Sequence, residues 1–402
     1  MTVDKNLFLH DFAVVAILKN EGHYLKEWLD YHLLAGVDHF YLYDNESSDN
    51  YNAIIAPYVE AGLVTNKYIS GQSAQFAAYN DAVLNYRFQC RYMAFIDLDE
   101  FIFPKTNQSV VEVVDEILSH DPNAAGLVIN WQLFGSNGQD KADYTRGVLE
   151  RFTQRAPSDW ITDNMGNAHV KTISKPRLIN FFHNPHFAVY FEEIYALNET
   201  GLVVNGPFNS PVTFKKIVIN HYYTKSCEEF FIKRERGRSD INLKYSVDWF
   251  DRYNRNEVFD DGILRYRAVR AENFSLENIG EKYKRVKDAL TKILLRYADG
   301  ETFDLETALT CRAASNYLRE KLYEEASLAA ILKSLDGLTL ADVRLLLSEL
   351  PNLLSLPYPV VEELRGACLH IIPQMMNVMR LNTRWKDYVE LDYIWRLLQI
   401  QK

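Results

Sequence analysis

"YMAFIDLDEFIFP", residues 92–104, is the stretch on which the reading of this chain turns. An apolar run ends in Asp97 and Asp99, one residue apart, then Glu100, and becomes apolar again. Carboxylates so close together repel one another and lose hydration, and both effects oppose the charged form. Either a cation sits among them or they lie at a strand end that water reaches. In a strand, residues two apart face the same side. Asp97 and Asp99 would then point together at one site beyond the sheet, where a divalent cation removes their repulsion and holds a diphosphate through its oxygens. The plain alternative is a solvated turn, and a bare D-x-D does not decide between them.

The surroundings favour a site. "FAVVAIL" (12–18), "HFYLYDN" (39–45), "LVTNKYI" (63–69) and "RYMAFIDLD" (91–99) read as strands. Between them, Tyr24, Leu25, Trp28, Leu29, His32 and Leu33 recur at helical spacing, as do Phe76, Tyr79, Val83 and Tyr86. This β-α-β-α alternation predicts a mostly parallel sheet covered by helices. Such sheets bind ligands beyond the carboxyl ends of their strands. Lys19-Asn20-Glu21, Asp44-Asn45 and the Asp97-Asp99-Glu100 group all fall at such ends. "GLVINW" (126–131) and "KIVINHY" (216–222) continue the strand pattern. From about residue 272 the texture changes. Ile279, Tyr283, Val286, Leu290 and Ile293 share a helical face, and Leu-rich and Ala-rich patterns run to the end. The expectation is a catalytic domain over 1–271, with 241–271 as an extension, and an all-helical domain over 272–402, a possible oligomer interface.

Composition narrows the class. With 402 residues, 48% hydrophobic and 24% charged, the chain is an ordinary globular protein. No apolar stretch reaches the ~20 residues that span a bilayer, and the N-terminal run lacks a signal-peptide cleavage pattern. A soluble, cytoplasmic protein without a transmembrane segment is expected. A net charge of −10 argues against nucleic acid as a partner. The four cysteines form no CxxC pair, so free thiols are expected.

"INHYYTKSCEEFFIKRERGRSD" (219–240) is the second informative stretch. His221 follows a short strand, with Lys225, Ser226, Lys233, Arg234, Arg236 and Arg238 close behind. A neutral imidazole is a common metal ligand, and lysines and arginines stabilise charge on a departing phosphate. Taken singly, a strand-end histidine or a basic helix face is more often structural. A magnesium phosphotransferase with an aspartate nucleophile competes as a reading, but its D-x-D-x-T/V signature is broken here by Phe101.

Together, "AVVAILKNEGHYLKEWLDYHLLAGVDHFYLYDNESSDN", "YMAFIDLDEFIFP", "NWQLFGSNG" and "NHYYTKSCEEFFIKRERGRSD" resemble glycosyltransferase family 92 and the related family 2-like enzymes of GT-A fold, over roughly residues 10–265. The resemblance implies a metal-dependent, inverting transferase. It would use a nucleotide-sugar, UDP-linked and with galactose as a candidate sugar, with Mn2+ or Mg2+ and a glycan or other hydroxyl acceptor. It implies Asp97, Asp99 and His221 at the metal, with Asp97 also at the ribose and Glu100 in support. It implies Lys19, Glu21, Asp44, Asn80, Lys225, Ser226, Lys233 and Arg236 around the nucleotide and diphosphate. Trp131, Phe134 and Gly135 fall near the sugar and acceptor. The acceptor hydroxyl must lose a proton, so a carboxylate after the D-x-D is expected as general base. Asp140, Asp163, Glu192 and Glu193 are the candidates, Glu193 and Asp163 ahead. A binding protein without turnover remains the alternative.

Overall fold

The computed structural model describes residues 3–162, 165–273, 275–298 and 301–325. The chain divides into two compact units, one of residues 1–286 with 309–314, the other of residues 287–308 with 315–402. In the first, β1 (His10–Leu18), α1 (Gly22–Leu34), β2 (His39–Asp44), α2 (Tyr51–Glu60), β3 (Val64–Tyr68), α3 (Gln75–Tyr86) and β4 (Cys90–Phe95) alternate as the sequence predicts. The pairs β1–β2, β2–β3 and β1–β4 are all parallel, giving the order β3-β2-β1-β4. The α/β class expected from the pattern is therefore the one observed.

β1 shows why this block sits at the centre. Phe12, Val14, Ala16 and Leu18 pack into the core on one face, and Ala13, Val15 and Ile17 into the core on the other. A strand buried on both faces carries an unbroken apolar run, as parallel sheets covered by helices require. α1 supplies Leu25, Trp28, Leu29 and Leu33 to the first core. α3 supplies Ala78, Tyr79, Ala82 and Val83 to the second.

Beyond β4 the sheet becomes mixed. β5 (Glu100–Pro104), α4 (Val110–Leu118), β6 (Ala124–Leu133), α5 (Val148–Arg151), β7 (Gln154–Arg155), β8 (Val170–Ser174), β9 (Ile179–Phe181), β10 (Val189–Tyr190), β11 (Tyr195–Leu197), β12 (Val203–Val204) and β13 (Ile217–His221) follow in chain order. β8 inserts antiparallel between β4 and β6. β13 runs parallel to β6 and antiparallel to β5. After it come α6 (Cys227–Arg236), α7 (Trp249–Tyr253), β14 (Val258–Phe259), α8 (Gly262–Glu272), α9 (Ile279–Ala298) and α10 (Leu305–Glu325). Cys90, Cys227 and Cys311 are free thiols. No described helix is long and apolar enough to cross a membrane. The rest of the expected helical region, 326–402, lies outside the described residues.

The start of α9 belongs with the first unit, which extends that unit to Val286, past the boundary expected at 271/272. Two basic side chains hold it there. Lys282 is buried and donates to the Asp38 carboxylate at 2.9 Å and to the Asp38 carbonyl at 3.0 Å. Asp38 in turn accepts the backbone N–H groups of Asp11 and Phe12 at the start of β1. Arg285 donates to the Phe8 carbonyl at 2.9 Å and pairs with Glu277. Removing one partner of a buried ion pair strands the other charge, which costs several kcal/mol. Lys282→Met is expected to lower the free energy of unfolding by about 3 kcal/mol in urea titrations. A change below about 0.5 kcal/mol, the size of an ordinary surface substitution, would show that this contact does not anchor the helix.

Candidate active site

The D-x-D does not lie in a strand. β4 ends at Phe95 and β5 begins at Glu100, and the Glu100 N–H donates to the Asp97 carbonyl at 3.1 Å. Residues 97–100 form a tight turn that carries the chain from β4, in the parallel block, to β5, beside β13. The period-two argument therefore fails at this point, and the two aspartates take separate partners. Asp97 accepts from Gln75 Nε2 at 2.7 Å and from Lys171 Nζ at 3.0 Å. Asp99 accepts from Lys233 Nζ at 2.6 Å, with His221 Nε2 at 3.4 Å and Lys225 Nζ at 3.9 Å.

Each side chain is delivered by a different element. His221 ends β13 and lies opposite Glu100 in the β5–β13 ladder. Lys225 is buried with a positive φ of 51°, just before α6, and its ammonium lies 4.5 Å from the centre of the Tyr24 ring. Lys233 sits on α6, its ammonium 4.3 Å from the Tyr223 ring and 5.3 Å from the Tyr245 ring. Lys171 comes from β8. Burial opposes charge on Asp99, yet Lys233, His221 and Lys225 hold its carboxyl well below the usual range. Burial likewise opposes charge on Lys171, but Asp97 and Glu100 keep its ammonium well above its usual pKa. Burial lowers the pKa of His221 and so favours the neutral imidazole. Glu100 is fully buried, and burial pushes its carboxyl up to about 8. One Glu100 oxygen accepts the Asp97 N–H at 2.9 Å. The other, Oε1, has no hydrogen-bond partner among the described residues and lies 3.9 Å from His221 Nδ1, which is likewise without one among them.

The expected metal set is only partly assembled. Asp97 turns toward Gln75 and Lys171, away from the partners of Asp99, because the turn breaks the strand alternation. Among the described residues no group of three or more His, Cys, Asp or Glu side chains is arranged to hold a metal. Asp99 and His221 are the two donors that face each other; the neighbouring lysines favour the ionised carboxylate and burial favours the neutral imidazole, the forms that bind a metal.

The remaining expected residues divide between the site and the scaffold. Arg236 donates to the Lys19 carbonyl and pairs with Glu21, each at 2.9 Å, and so ties α6 to the turn after β1. The Lys19 ammonium lies 3.5 Å from Glu46 at the surface. Asp44 ends β2 and accepts the Ser47 N–H at 2.9 Å. Ser226 caps α6. Its hydroxyl accepts the Glu229 N–H, and the Glu229 carboxylate accepts the Ser226 N–H and O–H in return. That cap commits Ser226 to the scaffold rather than to a ligand. Asn80 is structural as well, since its amide donates to the Phe182 carbonyl and accepts the Phe182 N–H. Phe134 is fully buried. At Gly135 a Cβ would stand 2.3 Å from the Arg255 carbonyl, so only glycine admits this close approach of two backbones.

Glu192 and Glu193 do not reach Asp99. Glu193 is exposed on the turn just before β11, whose first residue, Tyr195, pairs with Ala124 at the start of β6. His221 pairs with Leu133 at the far end of β6. The two therefore lie at opposite ends of a strand roughly 30 Å long at ~3.3 Å per residue. Glu192 is exposed on the same turn, and Asp140 is exposed near the start of α6. Asp163 lies outside the described residues. Sequence reasoning missed Gln75, Lys171 and Tyr245. Only Lys171 left a trace, as a lone lysine inside the buried strand "VKTIS".

Polar groups from strand ends thus gather beyond the carboxyl edge of a parallel block, where α/β proteins bind their ligands. The chain belongs to glycosyltransferase family 92, whose model matches residues 15–240. It is 28% identical to a glycosyltransferase family 92 protein of Ricinus communis over 272 residues, 66% of this chain and 44% of that protein. It is 31% identical over 100 residues to galactan beta-1,4-galactosyltransferase GALS2 of Arabidopsis thaliana, 22% of this chain and 19% of that one. Among solved structures, S. aureus TarS 1–349 in complex with UDP aligns over 83% of this chain and 80% of that one, at 14% identity and a TM-score of 0.30. The chain spans less than half the length of the family 92 relatives from Ricinus communis, Oryza sativa and Arabidopsis thaliana.

α6 carries Lys233 and Arg236, so its seating governs the site. Its anchor is a buried pair, Arg151 donating to both Glu229 oxygens at 2.9 and 2.7 Å. Burial opposes the charge, but Arg151, Ser226 and Lys225 hold the Glu229 carboxyl down at about 2. A carboxyl depressed in this way stabilises the fold above the unfolded value of ~4.3 and loses that contribution as pH falls through the folded value. Arg151→Leu is expected to cost about 3 kcal/mol at pH 7. The gap from the parent protein should close as urea titrations move to acid. A gap independent of pH would mean that the pair is not what holds α6.

Proposed function

We propose that this chain transfers a sugar from a UDP-linked donor, galactose being the favoured sugar, to a hydroxyl group of a glycan. The observation that carries this reading is the convergence of Lys225 and Lys233 on Asp99 beside His221, inside the residues that match family 92. Lysines around an acidic turn at a sheet's carboxyl edge suit a metal-bound diphosphate. Galactose is favoured by the likeness to the galactan beta-1,4-galactosyltransferases of Arabidopsis thaliana.

The protein's own groups would divide the work. Asp99 and His221 would hold Mn2+ or Mg2+, which supplies Lewis-acid charge to the leaving diphosphate when bound. Lys225 and Lys233 would add positive charge as the bond to the anomeric carbon breaks. Asp44, at the end of β2, and Glu21, just before α1, would bind the nucleoside. Asp97, fixed by Gln75 and Lys171, would hold the turn that aims Asp99. Attack by the acceptor hydroxyl on the opposite face would invert the anomeric carbon in one displacement, UDP leaving with the bonding electron pair and the hydroxyl proton passing to water.

Thermal unfolding with UDP-galactose, UDP-glucose and UDP-N-acetylglucosamine, each with and without Mn2+, tests the reading. A donor at a hundredfold its Kd stabilises by about 2.7 kcal/mol. The expected outcome is a manganese-dependent rise in Tm with UDP-galactose that disappears in Asp99→Asn. Absence of a rise with every nucleotide-sugar, or a full manganese-dependent rise in Asp99→Asn, would overturn the proposal.

A further inference from the structure

Beside His221, the rings of Trp131, His169, His186 and Phe208 form a cluster that the donor chemistry does not use. Trp131 lies 4.3 Å from His221 between ring centres and stacks on His169 at 4.6 Å, with the planes 18° apart. Phe208 meets His169 edge-on at 4.8 Å and is 41% exposed. His169 is part-buried and stands two residues before Lys171, the lysine that holds Asp97. In extended chain that spacing sets both side chains on one face. The cluster therefore adjoins the acidic turn and opens at Phe208.

Its polar groups are fixed in kind. His169 Nδ1 lies 3.0 Å from the Gly166 carbonyl, and His186 Nδ1 lies 3.2 Å from the Val170 carbonyl. A carbonyl only accepts, so each Nδ1 carries its hydrogen and each Nε2 keeps a lone pair. Burial holds His169 down at about 4, so the ring is neutral near pH 7. The Trp131 indole N–H is buried with no acceptor among the described residues. Among the described residues such a place offers ring faces and a lone pair, and its neighbouring lysine, Lys171, is committed to Asp97 and Glu100. It suits a neutral ring with an apolar face and hydroxyl edges better than an anion.

We infer that His169 and Phe208 seat the acceptor sugar, with His169 Nε2 accepting a hydrogen bond from one of its hydroxyls and the buried Trp131 backing the His169 ring. The inference rests on the transferase reading and adds the acceptor side to it. It is tested with UDP-galactose, Mn2+ and a β-1,4-linked galactotetraose, comparing the parent protein with Phe208→Ala, His169→Ala and His169→Gln. Phe208→Ala and His169→Ala are expected to raise the KM for galactotetraose by about tenfold, the size of one lost ring contact or hydrogen bond. His169→Gln should recover part of the loss, because its amide oxygen accepts at similar reach. The donor-induced rise in Tm should persist in all three. Unchanged galactotetraose KM in both Phe208→Ala and His169→Ala, with the parent protein active, overturns this inference alone. Loss of the donor-induced rise in Phe208→Ala, an exposed rim position, also overturns it by showing a role in the donor site. A parent protein that responds to no nucleotide-sugar removes the transferase reading and this inference with it.

Discussion

Asp99 is 4% exposed, and it remains ionised because Lys233 reaches it from another element. A carboxylate cut off from water is tolerated only when it is paired and hydrogen-bonded. Lys233 sits 134 residues further along the chain, on α6. The acidic turn and α6 therefore require each other. Without the helix, the turn holds an uncompensated charge. Without the turn, Lys233 is left against the Tyr223 and Tyr245 rings with its charge unmatched.

The seating of α6 follows from that demand. Its first turn is capped by Ser226 and Glu229, and Glu229 is clamped by Arg151 and accepts the Tyr24 O–H at 2.9 Å. Its last turn is tied by Arg236 to Glu21 and to the Lys19 carbonyl. The helix is pinned at both ends to the loops after β1 and around α5, and Lys233 lies between the pins. Several residues that resemble ligand-binding groups in the sequence, Ser226 and Arg236 among them, are spent on this placement. The consequence is a basic helix held over the acidic turn by its own protein contacts.

The parallel block was legible because its signals are local. The fully apolar run of β1 and the helical spacing of Leu25, Trp28 and Leu29 each report their own environment within a few residues. Asn80 looked like a nucleotide contact because it is a polar residue on the helix before the acidic strand, but its partners are the backbone atoms of Phe182, 102 residues away. Glu193 looked like a base by position after the D-x-D, yet the pairing of β11 with the start of β6 carries it to the wrong end of the sheet. No local pattern encodes either pairing.

The sequence by itself determined the α/β alternation and the collection of polar residues at strand ends, because burial periodicity and strand termination are written in neighbouring residues. It also singled out Asp99, His221 and Lys233, which the fold brings together, since each stands at a strand end, in the turn after one, or on a recognisable basic helix. Only the tertiary structure decided that Asp97 and Asp99 face different partners. The reason is that a turn of four residues replaces the expected strand, and the orientation of its side chains is set by Gln75, Lys171 and Lys233, none of them adjacent to it in sequence.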